Sequence, residues 1–185
     1  MGERFTDSMM YRQVNGLPEQ IEEALASELP PLPRSKEICI CGMGASALAG
    51  EVVSDYADST AGFPITVVRG IELPGWVGHE TVVICVSYSG NTKEVLMAYD
   101  EARAKGCTII CITVGGELMH RCTFNKNILI KMPPGLQSRG AFGYLLGYLS
   151  KALEKMEVCD AAASLGRMLP YLKKHRDELI SEEST

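Results

Sequence analysis

Residues 81–92, Thr-Val-Val-Ile-Cys-Val-Ser-Tyr-Ser-Gly-Asn-Thr, leave the chain few ways to fold. Thr81 to Val86 is an uncharged, β-branched run, the pattern of a strand buried on both faces. Ser87, Ser89, Asn91 and Thr92 then bring hydroxyls and an amide, and Gly90 permits a tight turn. From Lys93 the apolar period becomes helical, with Val95, Leu96, Tyr99 and Ala102 on one face. A buried strand thus feeds a polar turn that opens a helix. The first N–H groups of a helix have no partner within it, and the dipole there is positive. Free N–H groups ringed by hydroxyls suit a phosphate.

The rest of the chain extends this alternation. Ile38–Cys41 predicts a first strand, Gly42 to Ser46 a turn, and Ala47–Tyr56 a helix. Further strands are predicted at Ile65–Val68, Thr81–Val86 and Thr108–Thr113, with a weaker one at Asn127–Lys131. Helices are predicted over Asn91–Lys105, closed by Gly106, over Glu117–Arg121, over Ser138–Met156, and over Asp160–Ile180 with a bend at Pro170. Ahead of them, residues 5–29 predict a helical arm broken between Asn15 and Pro18. Its stripe is Leu17, Ile21, Leu25 and Leu29, and Pro30, Pro31 and Pro33 stop it. Uncharged strands alternating with helices mean an α/β fold whose parallel sheet is covered on both faces. Ligands of such folds sit beyond the carboxyl ends of the strands, where the strand order reverses. The turns after the first and third strands both lie on that edge. The expected division is an N-terminal arm over 1–34, a main domain over 35–156 and a C-terminal helix over 157–185, with a loose tail from Ser181.

Composition narrows the function classes. A formal net charge of −5 argues against a nucleic-acid partner. No uncharged stretch is both long and apolar enough to span a bilayer, and the first residues lack an apolar signal core, so no membrane partner is expected. Cys39, Cys41, Cys85 and Cys111 fall inside predicted strands, where cysteine behaves as a small hydrophobe. The spacing of Cys39 and Cys41 does not fit a zinc knuckle, and no metal is expected. Reduced thiols fit a cytoplasmic location.

The turn Gly42-Met43-Gly44-Ala45-Ser46-Ala47 matches the looser dinucleotide fingerprint. That assignment wants an acid at the end of the next strand, which instead ends Val68-Arg69-Gly70; Arg69 would have to meet a 2′-phosphate. The alternative is a tight strand-to-helix turn with no ligand. Ser46 by itself is an N-cap candidate, and so are Asn91 and Thr92. Yet Ser46 follows the first strand while Ser87 and Ser89 follow the third, so two hydroxyl-bearing turns should face one cavity. Arg139 stands at the predicted start of a helix, where the dipole disfavours a cation; it is either an ordinary solvated charge or the neighbour of a bound anion. His79, His120 and His175 share no spacing, and only His120 lies on the expected edge.

Cys41 to Gly50, followed by Val86-Ser87-Tyr88-Ser89-Gly90-Asn91-Thr92, resembles the sugar isomerase (SIS) domain. More narrowly, it resembles the amino-terminal half of the bifunctional phosphoglucose/phosphomannose isomerases. Leu73-Pro74-Gly75-Trp76-Val77, Ile112 to Gly116 and Pro134 to Ala141 extend the resemblance over about residues 35–155. It implies a flavodoxin-like, three-layer αβα sandwich with a five-stranded parallel sheet that binds a hexose 6-phosphate. It implies that Gly44, Ser46, Ser87, Ser89 and Thr92 hold the phosphate and that Arg139 lies beside the sugar. No cofactor is implied, because the family moves a proton between adjacent carbons through a cis-enediol. The family's catalytic glutamate, ring-opening histidine and a further lysine belong to a second SIS half, so no catalytic residue is assigned here. Glu72 and Glu117 are the acids the chain itself offers. A homodimer or a partner SIS subunit would supply the second half. A phosphosugar sensor without catalysis and an NADP-binding oxidoreductase are the alternatives.

Overall fold

The strands are β1 (Ile38–Gly42), β2 (Ile65–Val68), β3 (Val82–Val86), β4 (Thr108–Thr113) and β5 (Ile128–Lys131). The helices are α1 (Met9–Asn15), α2 (Leu17–Ala26), α3 (Ala45–Asp58), α4 (Lys93–Ala104), α5 (Gly116–Phe124), α6 (Phe142–Lys155) and α7 (Ala161–Glu183). These come from a computed structural model that describes residues 8–183, with side chains described through Ile180. The strands form one parallel sheet in the order β2-β1-β3-β4-β5.

Alternation along the strands sorts the core into two halves. Ile38, Ile40, Ile84, Val86, Ile110 and Ile112 point to the face covered by α2, α3 and α6. Cys39, Cys41, Val83, Cys85, Ile109 and Cys111 point to the face covered by α4 and α5. The register keeps like with like: Ile40 pairs with Ile84, Ile84 with Ile110, and Cys41 with Cys85. Branched side chains thus fill one face, thiols predominate over Val83 and Ile109 on the other, and the smaller thiols leave room for Tyr99 and Leu118, both fully buried.

The N-terminal arm is part of this core. Its two helices cover residues 9–26 within the expected 5–29; residues 1–7 lie outside the described residues, and Leu29 lies beyond the helix end. Ile21 and Ala24 are fully buried against α6. Two glycines of α6 make the approach possible. A Cβ on Gly147 would lie 2.6 Å from the Cβ of Ala24, and one on Gly143 would lie 2.6 Å from the Leu17 carbonyl oxygen. At the C-terminal end of α2 and just past it, Lys151 Nζ donates to the carbonyls of Leu25 and Ser27, and Lys155 Nζ to that of Leu29. Cations are favourable at that end of a helix.

Several ends differ from expectation. α7 runs through Glu183, so the tail from Ser181 is helical as far as that residue; Ser184 and Thr185 lie outside the described residues. α5 is longer than Glu117–Arg121 at both ends. α4 does end as read: Lys105 is its C-cap, and Gly106 follows at φ +74° with its N–H on the Arg103 carbonyl.

Candidate functional site

β1 and β3 are neighbours whose other partners lie on opposite sides, β2 beside one and β4 beside the other. Their carboxyl ends therefore border the crevice where the strand order reverses. Gly42 is level with Val86 in the register, so the Met43–Ser46 turn and the Ser87–Thr92 turn leave the sheet side by side.

In the β3–α4 turn, Ser87 is 2% exposed. Its Oγ accepts from the Gly90 N–H at 3.1 Å and shares a hydrogen bond of 2.9 Å with Thr92 Oγ1. Ser89 is exposed, and its Oγ accepts from the Asn91 N–H at 3.3 Å. Thr92 occupies the N-cap position of α4, yet its side chain makes no capping bond; the hydroxyl turns to Ser87 instead. Asn91 does not cap α4 either, because its Oδ1 accepts from the Glu117 N–H at 3.0 Å. The start of α4 is thus left without a side-chain cap.

The next loop braces this turn. The Leu118 N–H donates to the Gly90 carbonyl at 2.9 Å and the Val114 N–H to the Tyr88 carbonyl at 3.1 Å. Gly90 sits at φ +72°, where side chains are strained, and its Cα faces the Gly115 carbonyl.

In the β1–α3 turn the helix starts earlier than predicted. Ala45 is its first residue and Gly44, at φ +53°, its N-cap. Ser46 therefore lies inside the first turn and does not cap the helix, against the capping expectation. It is 6% exposed, and its Oγ makes no hydrogen bond among the described residues, so none joins it to Ser87 or Thr92. α3, like α4, starts without a side-chain cap.

Arg139 is exposed and forms no ion pair or hydrogen bond among the described residues. α6 begins at Phe142 with Ala141 as N-cap, so Arg139 stands two residues ahead of the cap rather than in the first turn. The dipole argument for it is correspondingly weaker. Its segment is nonetheless held at both ends. Tyr88 Oη donates to the Pro133 carbonyl at 2.9 Å and accepts from the Leu136 N–H at 3.1 Å. Gln13 Oε1 accepts from the Gln137 N–H at 3.1 Å, and Gln20 Nε2 donates to the Gly140 carbonyl at 2.8 Å. Sequence reasoning missed Tyr88, Gln13 and Gln20 in this capacity. One signal was available: Gln13 and Gln20 lie on either side of Leu17, at the head of the arm's apolar stripe, where a polar side chain needs a partner.

The other ionisable residues near the rim are engaged. Arg69 grips the Glu51 carboxylate through two nitrogens, which holds that carboxyl below its usual range and uses the cation that a 2′-phosphate would need. Glu117 pairs with Arg121 at 2.8 Å, and this bond lowers its pKa as well. A depressed carboxylate is a weak base. His79, His120 and His175 are exposed, each beside a glutamate. Burial pushes the Cys85 thiol well above its ordinary range, so it acts as hydrocarbon rather than nucleophile. Among the described residues no group of three His, Cys, Asp or Glu side chains is placed to hold a metal, and no helix is long and apolar enough to cross a membrane.

A doubly wound parallel sheet with two uncapped, hydroxyl-bearing turns at its switch point defines an α/β domain suited to an anion. The SIS domain family model matches residues 32–163, and the chain belongs to that family. It is 34% identical over 176 residues to the bifunctional phosphoglucose/phosphomannose isomerase of Aquifex aeolicus, covering 93% of this chain and 54% of that protein. It is 39% identical over 140 residues to the protein of the same name from Caldicellulosiruptor bescii, covering 73% of this chain and 41% of the relative. Among solved structures, the C-terminal domain of glucosamine-fructose-6-phosphate aminotransferase from Francisella tularensis aligns with a TM-score of 0.68 at 18% identity. That alignment covers 92% of this chain and 55% of the other, and shows the shared fold. The chain spans about half the length of the curated relatives it matches.

Proposed function

We propose that the chain binds the phosphate of a hexose 6-phosphate and forms one half of an aldose–ketose isomerase site whose ketose is fructose 6-phosphate. Ser46, Ser87, Ser89 and Thr92 would donate their hydroxyls, and the N–H groups at the starts of α3 and α4 would complete the cradle. Gly44 would let the β1–α3 turn approach the phosphate. Arg139 would face the sugar. The observation that carries this reading is the Ser87–Thr92 hydroxyl pair, held at 2.9 Å beside a helix start that no side chain caps. Interconverting an aldose and a ketose moves a proton between C1 and C2, which takes a carboxylate base and no organic cofactor. Glu117 is a poor candidate because Arg121 lowers its basicity. A second SIS unit, in a homodimer or a partner subunit, would bring the base. That same engagement of Glu117 favours, as a second reading, a sensor that binds phosphosugar and leaves it unchanged. A cytoplasmic location fits both.

Titration calorimetry with fructose 6-phosphate tests the site. Each lost hydrogen bond to a charged phosphate costs about 1.5–3 kcal/mol, so Ser87→Ala with Thr92→Ala should weaken binding at least about a hundredfold. Unchanged affinity would remove both residues from the site. Turnover of glucose 6-phosphate by a preparation that binds it would then exclude the sensor.

A further inference from the structure

We infer that the N-terminal arm belongs to the sugar-binding site: Gln13 and Gln20 are positioning residues that fix the Gln137–Gly140 turn and thereby set where Arg139 meets the sugar. This rests on the phosphosugar reading above. The arm precedes residues 32–163, the span that matches the family model.

The geometry is specific. The Gln137 N–H reaches Gln13 Oε1 at 3.1 Å, and Gln20 Nε2 reaches the carbonyls of Gly140 and Gln13 at 2.8 Å each. A donor on one amide and two carbonyls on the other fix which end of each amide is oxygen. Both side chains are buried, at 8% and 6% exposure. With Nε2 so committed, Gln20 Oε1 is left buried without a partner, against the Cα of Gly143. A buried acceptor without a donor is costly, so the two bonds made by Nε2 must outweigh it. A cavity of about 350 Å³ opens beside these amides, lined also by Arg12, Glu19, Leu136 and Tyr144. Arg139 contributes nothing to this packing: it is exposed and forms no ion pair or hydrogen bond among the described residues. The arm thus fixes the backbone on both sides of a cation whose side chain stays free. A positioned guanidinium loses less freedom on meeting a ligand than one on a loose turn. At the other end of the segment, Tyr88 ties Pro133 and Leu136 to the phosphate turn itself. Phosphate and sugar contacts would therefore be held in one frame.

Calorimetry on the full chain separates positioning from plain support. Fructose 6-phosphate and inorganic phosphate are titrated into the wild type, Gln13→Ala, Arg139→Ala and the double variant. Gln13→Ala should weaken fructose 6-phosphate about tenfold, the scale of one charge-assisted hydrogen bond, and change inorganic phosphate less than about twofold. Arg139→Ala should do the same. The double variant should lose no more than the larger single, because both changes remove one interaction. Gln13→Glu, which keeps the acceptor for the Gln137 N–H, should restore fructose 6-phosphate binding. If Gln13→Ala does not fold, Gln13→Met fills the same space without an acceptor and takes its place. Additive losses, equal losses for both ligands, or unchanged affinity for fructose 6-phosphate overturn the inference. Inorganic phosphate binding that survives Ser87→Ala with Thr92→Ala overturns the phosphosugar reading itself. Loss of phosphate in that variant, with fructose 6-phosphate retained in Gln13→Ala, overturns only the role of the arm.

Discussion

A methyl group on Gly90 would sit 1.8 Å from the Gly115 carbonyl oxygen, on a residue held at φ +72°. That contact is with backbone, which cannot yield as a flexible side chain could. Gly90→Ala should therefore destabilise the chain by about 3 kcal/mol or more, through overlap and strain together. Urea denaturation measures it. Gly75→Ala is the control: a Cβ there meets nothing within 4 Å, and the change should stay within about 0.5 kcal/mol. Equal losses at the two positions would mean that the β3–α4 turn is not braced by its neighbour. At this scale part of the site was legible from residue type. Ser87 and Thr92 announce themselves as hydroxyls at a strand-to-helix junction. That they bond to each other is set by the fold of the turn between them, and that Asn91 is spent on Glu117 rather than on a cap depends on a loop 26 residues away.

Among the elements, α4 also fastens the segment that follows β2. Glu101 accepts from the Leu73 N–H at 2.9 Å and pairs with Lys105 at 3.0 Å. The bond from Leu73 chiefly lowers the pKa of Glu101; burial opposes it, and Lys105 lowers it further. A folded-state pKa below the unfolded value, about 4.3, gives stability that is fully present above that pH. It is lost as pH falls through the folded-state value. Glu101→Gln should cost less than about 1 kcal/mol at pH 7, because the pair is partly exposed. The gap from the wild type should begin to narrow as pH falls below about 4.3 and close as pH passes the folded-state value. Parallel denaturation curves at pH 7 and about pH 3.5 check this; a gap that is undiminished at the lower pH would assign the effect to packing.

The elements themselves were readable where the code is local. Uncharged runs placed β1, β3 and β4, and the i, i+4 stripe placed α2. The start of α6 was not, because Ser138 to Ala141 carry no helix-breaking residue except Gly140. The ends of this segment are instead bonded to Gln13 and Gln20, across 124 and 120 residues of chain. Contacts of that range leave no period in the sequence.

Over the whole molecule, the question is what one SIS domain about half as long as its curated relatives can do alone. The phosphate cradle proposed above lies within this chain, whereas the base is expected from a second unit. Binding and turnover should therefore separate. A ligand that binds only the folded chain stabilises it by mass action, by about 2.7 kcal/mol at a hundred times its dissociation constant. For a chain of this size each kcal/mol raises Tm by about 2–4 °C, so fructose 6-phosphate should raise it by roughly 5–11 °C. NADP at the same concentration should leave Tm unchanged, because Arg69 is bound to Glu51. If two copies complete one site, ligand-bound Tm should also climb with protein concentration, since association is then linked to folding. Scanning calorimetry at two protein concentrations, with and without fructose 6-phosphate, measures all of this. A Tm that rises with ligand at every protein concentration, and by the same amount, would place the whole binding site in one copy and leave the partner only the chemistry.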